Sequence, residues 1–292
     1  MGYIKYPIFF CQISFYYYLF FMKTILLLLS ACFVARSYSQ GLSFVGAESA
    51  AMAHTTLTDF NGFSPFHNPG LIAKKQGLAF GLHYQNLFSL QDLQTQAASL
   101  VSSNDKMGFS LSVSKYGRSS YQETQAALGF GLKLSPQLFV GIKADYFVLQ
   151  LPEYYGKTEN FSASLGLVYV LNEEWEFGSS FLNVNQDLLS DFKEDRMTPL
   201  LRMGAKFSPS SSTSIRAEVW KEPASQLALK LGADYRLASS FYLRGGVDIF
   251  QRQFAFGFGY RIKNWQMDIS SQYHTRLGWS PVFSLSYSKL KP

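Results

Sequence analysis

Phe254-Ala255-Phe256-Gly257-Phe258-Gly259-Tyr260 sets a large aromatic at every even position and alanine or glycine at every odd one. Extended backbone sends alternate side chains to opposite faces, so as a strand this stretch is all ring on one side and nearly bare on the other. A soluble sheet normally turns polar groups away from its core. Here the second face is small, with cations only beyond it at Arg261 and Lys263. Apolar outside with small or polar inside is the pattern of a strand whose outer face meets lipid. The next stretch repeats it, with Trp265, Met267, Ile269 and Tyr273 opposing Gln266, Asp268, Gln272 and His274.

Composition agrees. Of 292 residues, 17% are aromatic and only 16% charged, which is low for a soluble surface. The length allows one large domain or two small ones. After the N-terminal region no run reaches the ~18 apolar residues of a spanning helix. A closed barrel is then the remaining way through a bilayer, because lipid cannot satisfy an open sheet edge. The two cysteines, Cys11 and Cys32, both precede the body of the chain, so a processed protein would hold neither a disulfide nor a thiolate metal site. The net charge of +6 owes half its value to Lys5, Lys23 and Arg36 in the same region. Nothing in it marks a nucleic-acid binder.

Residues 1–39 read as an over-extended start followed by a secretory signal. Met22-Lys23 leads an apolar run, Thr24 to Leu29, and Ser37-Tyr38-Ser39 supplies small residues before Gln40. Met22 is then the expected true start. A transmembrane anchor over 8–34 is opposed by Lys23, Gln12 and Ser14 in its path. Leu29-Ser30-Ala31-Cys32 resembles a bacterial lipobox, which would leave a lipidated Cys32.

Residues 40–75 lack sustained alternation. Small residues from Gly46 to Ala53 favour a short helix, Asp59, Asn61 and Gly62 a bend, and Asn68-Pro69-Gly70 a tight turn. His67 and Asn68 read as turn formers with satisfied hydrogen bonds. The Gly-Ala…Ala-Ala-Met opening, the acidic/Asn bend and the Asn68-Pro69 turn resemble the N-terminal hatch of FadL-like outer-membrane barrels. That superfamily includes long-chain fatty-acid transporters and the PorV/PorQ-type barrels linked to type IX secretion in Bacteroidota. The family pattern is Asn-Pro-Ala-Gly-Leu, whereas here Gly70-Leu71 follows Pro69 directly. Ala53-His54 stands where a paired glycine is common.

Residues 76–292 contain period-two runs near 76–88, 94–102, 106–116, 121–134, 137–149, 158–171, 175–184, 199–207, 213–221, 225–237, 241–250, 253–263, 265–274 and 281–290. The expected fold is therefore all-β: a transmembrane antiparallel up-and-down barrel of about 14 strands with an N-terminal hatch. An even count puts both termini on one side. Short turns are expected at 103–105, 135–136, 172–174, 208–212, 238–240 and 263–264, all on the periplasmic side. The longest loops, 150–157 and 185–198, fall on the other.

The strands agree on their faces. Leu227, Leu229, Leu231 and Tyr235 oppose Lys230, Asp234 and Arg236; Val140, Ile142 and Tyr146 oppose Gly141, Lys143 and Asp145; Leu243, Val247 and Ile249 oppose Arg244, Gly246 and Asp248. The inward charges are Lys133, Lys143, Asp145, Arg202, Lys206, Arg216, Glu218, Lys230, Asp234, Arg236, Arg244, Asp248, Arg261, Lys263 and Asp268. Most are basic, which predicts a net positive lumen able to attract anions, unless they pair with one another and with the hatch. Inward glycines at 129, 131, 141, 166, 178, 204, 232, 246, 257 and 259 fit close approach of a plug better than an open pore. No catalytic constellation emerges, the four histidines sit at no metal-ligand spacing, and no cofactor motif is present.

The resemblance implies passive uptake of a hydrophobic or amphipathic small molecule across a bacterial outer membrane, entering past the outer loops and leaving laterally or past the hatch. Outer-membrane lipid is the expected surrounding. The alternative, implied by the type IX secretion relatives, is a non-transporting barrel. It would bind a secreted or periplasmic protein through loop aromatics Tyr154, Tyr155 and Phe192.

Overall fold

The computed structural model describes residues 44–118, 121–152, 156–185, 197–223 and 225–291. Fourteen strands follow one another up and down: β1 (Gly77–Asn86), β2 (Gln94–Ser103), β3 (Met107–Arg118), β4 (Tyr121–Lys133), β5 (Leu138–Gln150), β6 (Lys157–Val170), β7 (Trp175–Leu182), β8 (Leu200–Ser210), β9 (Thr213–Lys221), β10 (Ala228–Arg236), β11 (Phe241–Asp248), β12 (Gln253–Ile262), β13 (Trp265–His274) and β14 (Gly278–Leu290). Each pairs antiparallel with its neighbours, and β1 pairs with β14, Gly77 opposite Leu290, so the sheet closes on itself. Closure removes the edges that lipid could not satisfy.

The aromatic stretch lies in β12 as its alternation requires. Phe256 and Phe258 are 46% and 59% exposed on the outer face, whereas Ala255, facing inward, is 8% exposed. The same parity runs round the wall, with Leu82, Leu111, Leu128, Ile142, Phe161, Ile215 and Phe283 outward. At the end where the short turns lie, outer rings meet in cross-strand pairs: Trp175 with Phe207 (4.6 Å), Phe241 with Tyr260 (4.7 Å) and Trp265 with Tyr287 (4.9 Å). A band of such rings is what a membrane–water boundary favours.

Strand ends depart from the sequence pattern in a few places. Phe88 does not extend β1: it turns in a 3-10 helix, Leu87–Ser89, with Phe88 and Ser89 both at positive φ. β8 runs on to Ser210 through a bulge between Phe207 and Ser210, which leaves a tighter turn than expected. β7 is short, so the first half of β6 overreaches it. There the Asn185 side chain stands in for a strand, Nδ2 donating to Phe161 O at 2.6 Å and Oδ1 accepting from Ala163 N at 3.1 Å.

Candidate functional site: the filled lumen

Residues 44–76 run inside the barrel and are buried almost throughout. Alanine forms helix cheaply and leaves little bulk, and Ala47–Ala51 is a short helix, α1. Its Ala47 and Ala50 lie against Val282 of β14. Asn61 Oδ1 accepts from Phe63 N at 2.8 Å and starts the second helix, α2 (Ser64–His67), with Pro65 in its first turn. Asn68 then spends its whole amide: Oδ1 accepts from Gly70 N at 2.9 Å, and Nδ2 donates to Leu57 O at 2.9 Å and Leu167 O at 3.0 Å. It caps the 3-10 helix Pro69–Ala73 and ties it to β6 in one gesture.

The inner segment touches every strand. It meets β1 at Gly81, β3 at Gly108, β4 at Gly129, β5 at Gly141, β6 at Gly166, β7 at Gly178, β10 at Gly232, β11 at Gly246 and β12 at Gly257. Polar side chains complete the ring: Ser99 of β2 donates to Gly62 O, Arg202 of β8 to His67 O, Arg216 of β9 to Asp59, Gln272 of β13 to Ala50 O, and Ala47 N donates to Ser284 of β14. Two contacts show why glycine is needed. A Cβ on Gly141 would stand 2.1 Å from Pro69 O, and one on Gly166 2.0 Å from Asn68 Oδ1. Gly204 and Gly259 differ from the sequence reading, since wall side chains crowd them instead: Glu218 at the first, Asp268 and Arg244 at the second.

The inward charges are mostly paired. Arg202, fully buried, reaches Glu218 Oε2 at 2.8 Å, His54 O at 2.8 Å and His67 O at 3.1 Å, and its guanidinium lies 4.3 Å from the Trp220 ring centre. Glu218 answers by accepting from Leu57 N (2.9 Å) and Trp220 Nε1 (2.8 Å). Asp59 takes Arg216 Nε at 2.5 Å and Lys206 at 3.0 Å. Lys74 pairs with Glu176 at 2.6 Å. Arg244 binds Asp234 at 2.7 Å and Asp268, with Glu48 at 3.8 Å. Lys143–Asp145 (2.8 Å) and Lys230–Asp248 (3.1 Å) stay within the wall.

The net positive lumen expected from the strands therefore needs correcting. The counter-charges that the strand reading left out are Glu48 and Asp59 of the inner segment and Glu176 of the wall. Four residues counted in the inward network stand apart from it. Lys133 and Lys263 are exposed, Arg236 half-buried, and Arg261 donates to Gln266 Oε1 at 3.0 Å with its guanidinium 4.8 Å from the Tyr242 ring centre. Their parity is inward, but they sit at strand ends or in the short turns, beyond the reach of the inner segment. The buried His67 ring faces the backbone of Val45. Tyr154, Tyr155 and Phe192 lie outside the described residues.

Glu48 and Asp59 were legible only indirectly: an excess of inward bases required acids somewhere, and these two lie in the one stretch without strand period. Lys74 lies in that stretch too, whereas Glu176 of β7 shares its parity with the inward Gly178 and was open to the strand reading. Burial and neighbouring charges shift the protonation of His54, Asp59, His67 and Lys74. Burial, helped by the positive charges of Lys230 and Arg202, holds His54 neutral well below its usual range. His67 falls to about 3 for the same reason, burial first and Arg202 second, against a smaller opposing contribution from the Val45 backbone. Burial alone would raise Asp59, yet Arg216 and Lys206 outweigh it and hold the carboxyl far below the carboxylate range. Lys74 is lowered by burial, which Glu176 offsets only in part.

No family model matches the sequence, and no curated protein sequence does. Solved structures do match in shape. The Pseudomonas putida toluene transporter TodX superimposes with a TM-score of 0.67 at 12% identity, covering 86% of this chain and 100% of that one. The CymD monoaromatic hydrocarbon channel gives 0.60 at 14% identity over 86% and 98%. A Pseudomonas aeruginosa FadL homologue gives 0.59 at 13% identity over 85% and 98%. At such identities the likeness is one of architecture, and this chain has the 14-stranded closed-barrel fold of the FadL-type channels.

Proposed function

We propose that this protein is an outer-membrane barrel for passive transport of a hydrophobic or amphipathic small molecule, with residues 40–75 acting as its hatch. The observation that carries the reading is the pairing of two surfaces: a wall apolar on its outside all the way round, and a lumen filled by an N-terminal segment that meets all fourteen strands through buried apolar side chains such as Phe63, Leu71 and Ile72 as well as through paired charges. The shared fold with proteins described as toluene and monoaromatic hydrocarbon channels supports the same substrate class. None of the structures named above is a secretion component, and the loops a docking role would use fall outside the described residues. Transport is therefore the reading carried forward.

The test is uptake of apolar probes into liposomes bearing the mature protein, wild type against a deletion of residues 41–72. Faster entry through the deleted form, with wild-type entry above that of empty liposomes, is the expected result. Entry equal to empty liposomes for every apolar probe in both forms would remove the transport reading.

A further inference from the structure

The barrel rim at the short-turn end carries one sign of charge over most of its arc. Lys75, Lys106, Lys263, Lys289 and Lys291 are all exposed there, and none of them forms an ion pair among the described residues. Hydrogen bonds show that they follow one another round the rim. In the Lys263-Asn264 turn, Asn264 O accepts from Ser288 N at 2.8 Å, next to Lys289. Lys289 pairs across to Leu78 of β1, and Lys291 N donates to Gln76 O at 2.9 Å. Ser103 Oγ donates to Lys75 O, and Lys106 O accepts from Lys133 N at 2.8 Å. Of the acids at this end, Asp105 adjoins Lys106, while Glu173 and Glu174 share the turn between β6 and β7, outside the arc. At the opposite rim charges mix, as where Lys157 meets Glu159 at 2.6 Å.

We propose that this lysine arc binds the phosphates of anionic phospholipids in the leaflet that the short turns face. The proposal rests on the barrel lying in a bilayer and not on what it transports.

Two features select lipid over an acidic protein. Three of the lysines stand beside outward apolar side chains: Lys106 beside Met107 (37% exposed), Lys263 beside Ile262 (50%) and Lys289 beside Leu78 (41%). Outward apolar groups mark where hydrocarbon ends, so a cation next to them lies at headgroup depth, its stem along the apolar surface and its ammonium at the phosphates. The turns are also too short to lift these cations away from the membrane. Lys263-Asn264 is the whole connection between β12 and β13, and Asn104 Oδ1 tightens the turn before β3 by accepting from Lys106 N and Met107 N, both at 2.9 Å. A protein partner would be gripped through aromatic anchors, but the rings at this end, Trp265 and Tyr287 among them, face outward in the membrane band.

Electron spin resonance on the mature protein in phosphatidylcholine vesicles, with spin-labelled phosphatidylglycerol or phosphatidylcholine as probe, reads the share of each lipid slowed at the protein surface. Wild type at low salt is expected to prefer phosphatidylglycerol about threefold and to lose most of that preference in about 1 M salt. Replacing Lys106, Lys263 and Lys289 together by Gln should bring the ratio close to one. Replacing Lys115, Arg252 and Arg276 by Gln removes as many exposed charges from the other end and should keep most of it. Folding is read from heat-modifiable gel migration, and apolar-probe uptake in the same vesicles should be unchanged by either triple substitution, which separates failure of this proposal from failure of the transport reading. Equal association of the two lipids in wild type overturns the proposal; polyglutamate binding to the same vesicles through these lysines would then assign the arc to an acidic protein. A preference that survives salt, or survives in the folded Lys106, Lys263 and Lys289 variant, overturns the role of the lysines, and equal loss in both triple variants overturns their location.

Discussion

Arg202 Nη2 stands 2.8 Å from Glu218 Oε2, with 0% and 2% of the two side chains open to water. The pair joins β8 to β9, but each partner also grips the inner segment, Arg202 through His54 O and His67 O and Glu218 through Leu57 N. The wall and its filling therefore share one buried charge pair. Removing either charge strands the other.

Arg202→Met should accordingly cost about 3–5 kcal/mol, most of it from a Glu218 left charged and unpaired. Adding Glu218→Gln removes that stranded charge while keeping an acceptor for Leu57 N, so the double variant should recover part of the loss. Denaturant unfolding in detergent, with limited proteolysis of residues 44–76 as a second readout, checks both. A double variant no better than the single one would mean that geometry rather than charge sets the cost.

Close packing predicts a different signature. Gly141→Ala and Gly166→Ala press a methyl into Pro69 O and Asn68 Oδ1, and each should destabilise by about 1–3 kcal/mol. Gly245→Ala, whose new methyl would lie 3.9 Å from Ala255 O, should stay within about 0.5 kcal/mol of wild type. Thermal melts of the three variants side by side provide the comparison, and equal effects at all three sites would contradict the tight fit.

The two faces of β12 should answer differently to arginine. Phe256→Arg places a cation near mid-membrane and should cost about 2–4 kcal/mol in a folding titration into lipid vesicles. Gly257→Arg points inward, where even a Cβ would meet Ala51 at 2.7 Å, and should free the inner segment to protease. A harmless arginine at 256 would reverse the assigned faces.

Acid should loosen the inner segment. His54 and His67 are held neutral when docked, so as the pH falls below the ordinary histidine value of 6.5, and down to about 3 in the case of His67, the released segment takes up protons that the docked one refuses. Docking is strongest above pH 6.5 and weakens as the pH falls, by up to about 1.4 kcal/mol per pH unit for each group. Asp59 has the same sign: its stabilisation is present above its ordinary value of 3.8 and is lost as the pH falls below it. Protease access to residues 44–76 at pH 7.5, 6 and 5 should rise in that order. His67→Gln should flatten the rise in part.

Particular residues show where sequence reading succeeds and where it stops. Alternation at Phe254 to Tyr260 and again at Trp265 to Tyr273 placed β12 and β13, because a period of two in a strand has one meaning for its faces. The boundaries fell within a few residues, and the misses came at Phe88 and Ser208 to Ser210, where a turn and a bulge depend on what the chain meets next. The inward basic residues were found by parity alone. Their partners were not, since Glu48 and Asp59 lie in a stretch with no period, and only its folded path decides which strand each acid faces. Parity likewise put Lys133, Arg236 and Arg261 inward without saying that they lie past the end of the filling.

The amino-acid order by itself determined a closed wall with rings outside and ions and glycines inside, because side-chain alternation is a local property of extended chain and closure follows from what lipid cannot hydrogen-bond. Tertiary structure alone decided that residues 44–76 touch all fourteen strands and that Arg202 and Glu218 are shared between wall and filling. Those facts depend on distances between groups far apart in the chain, and no local pattern fixes a distance across a barrel.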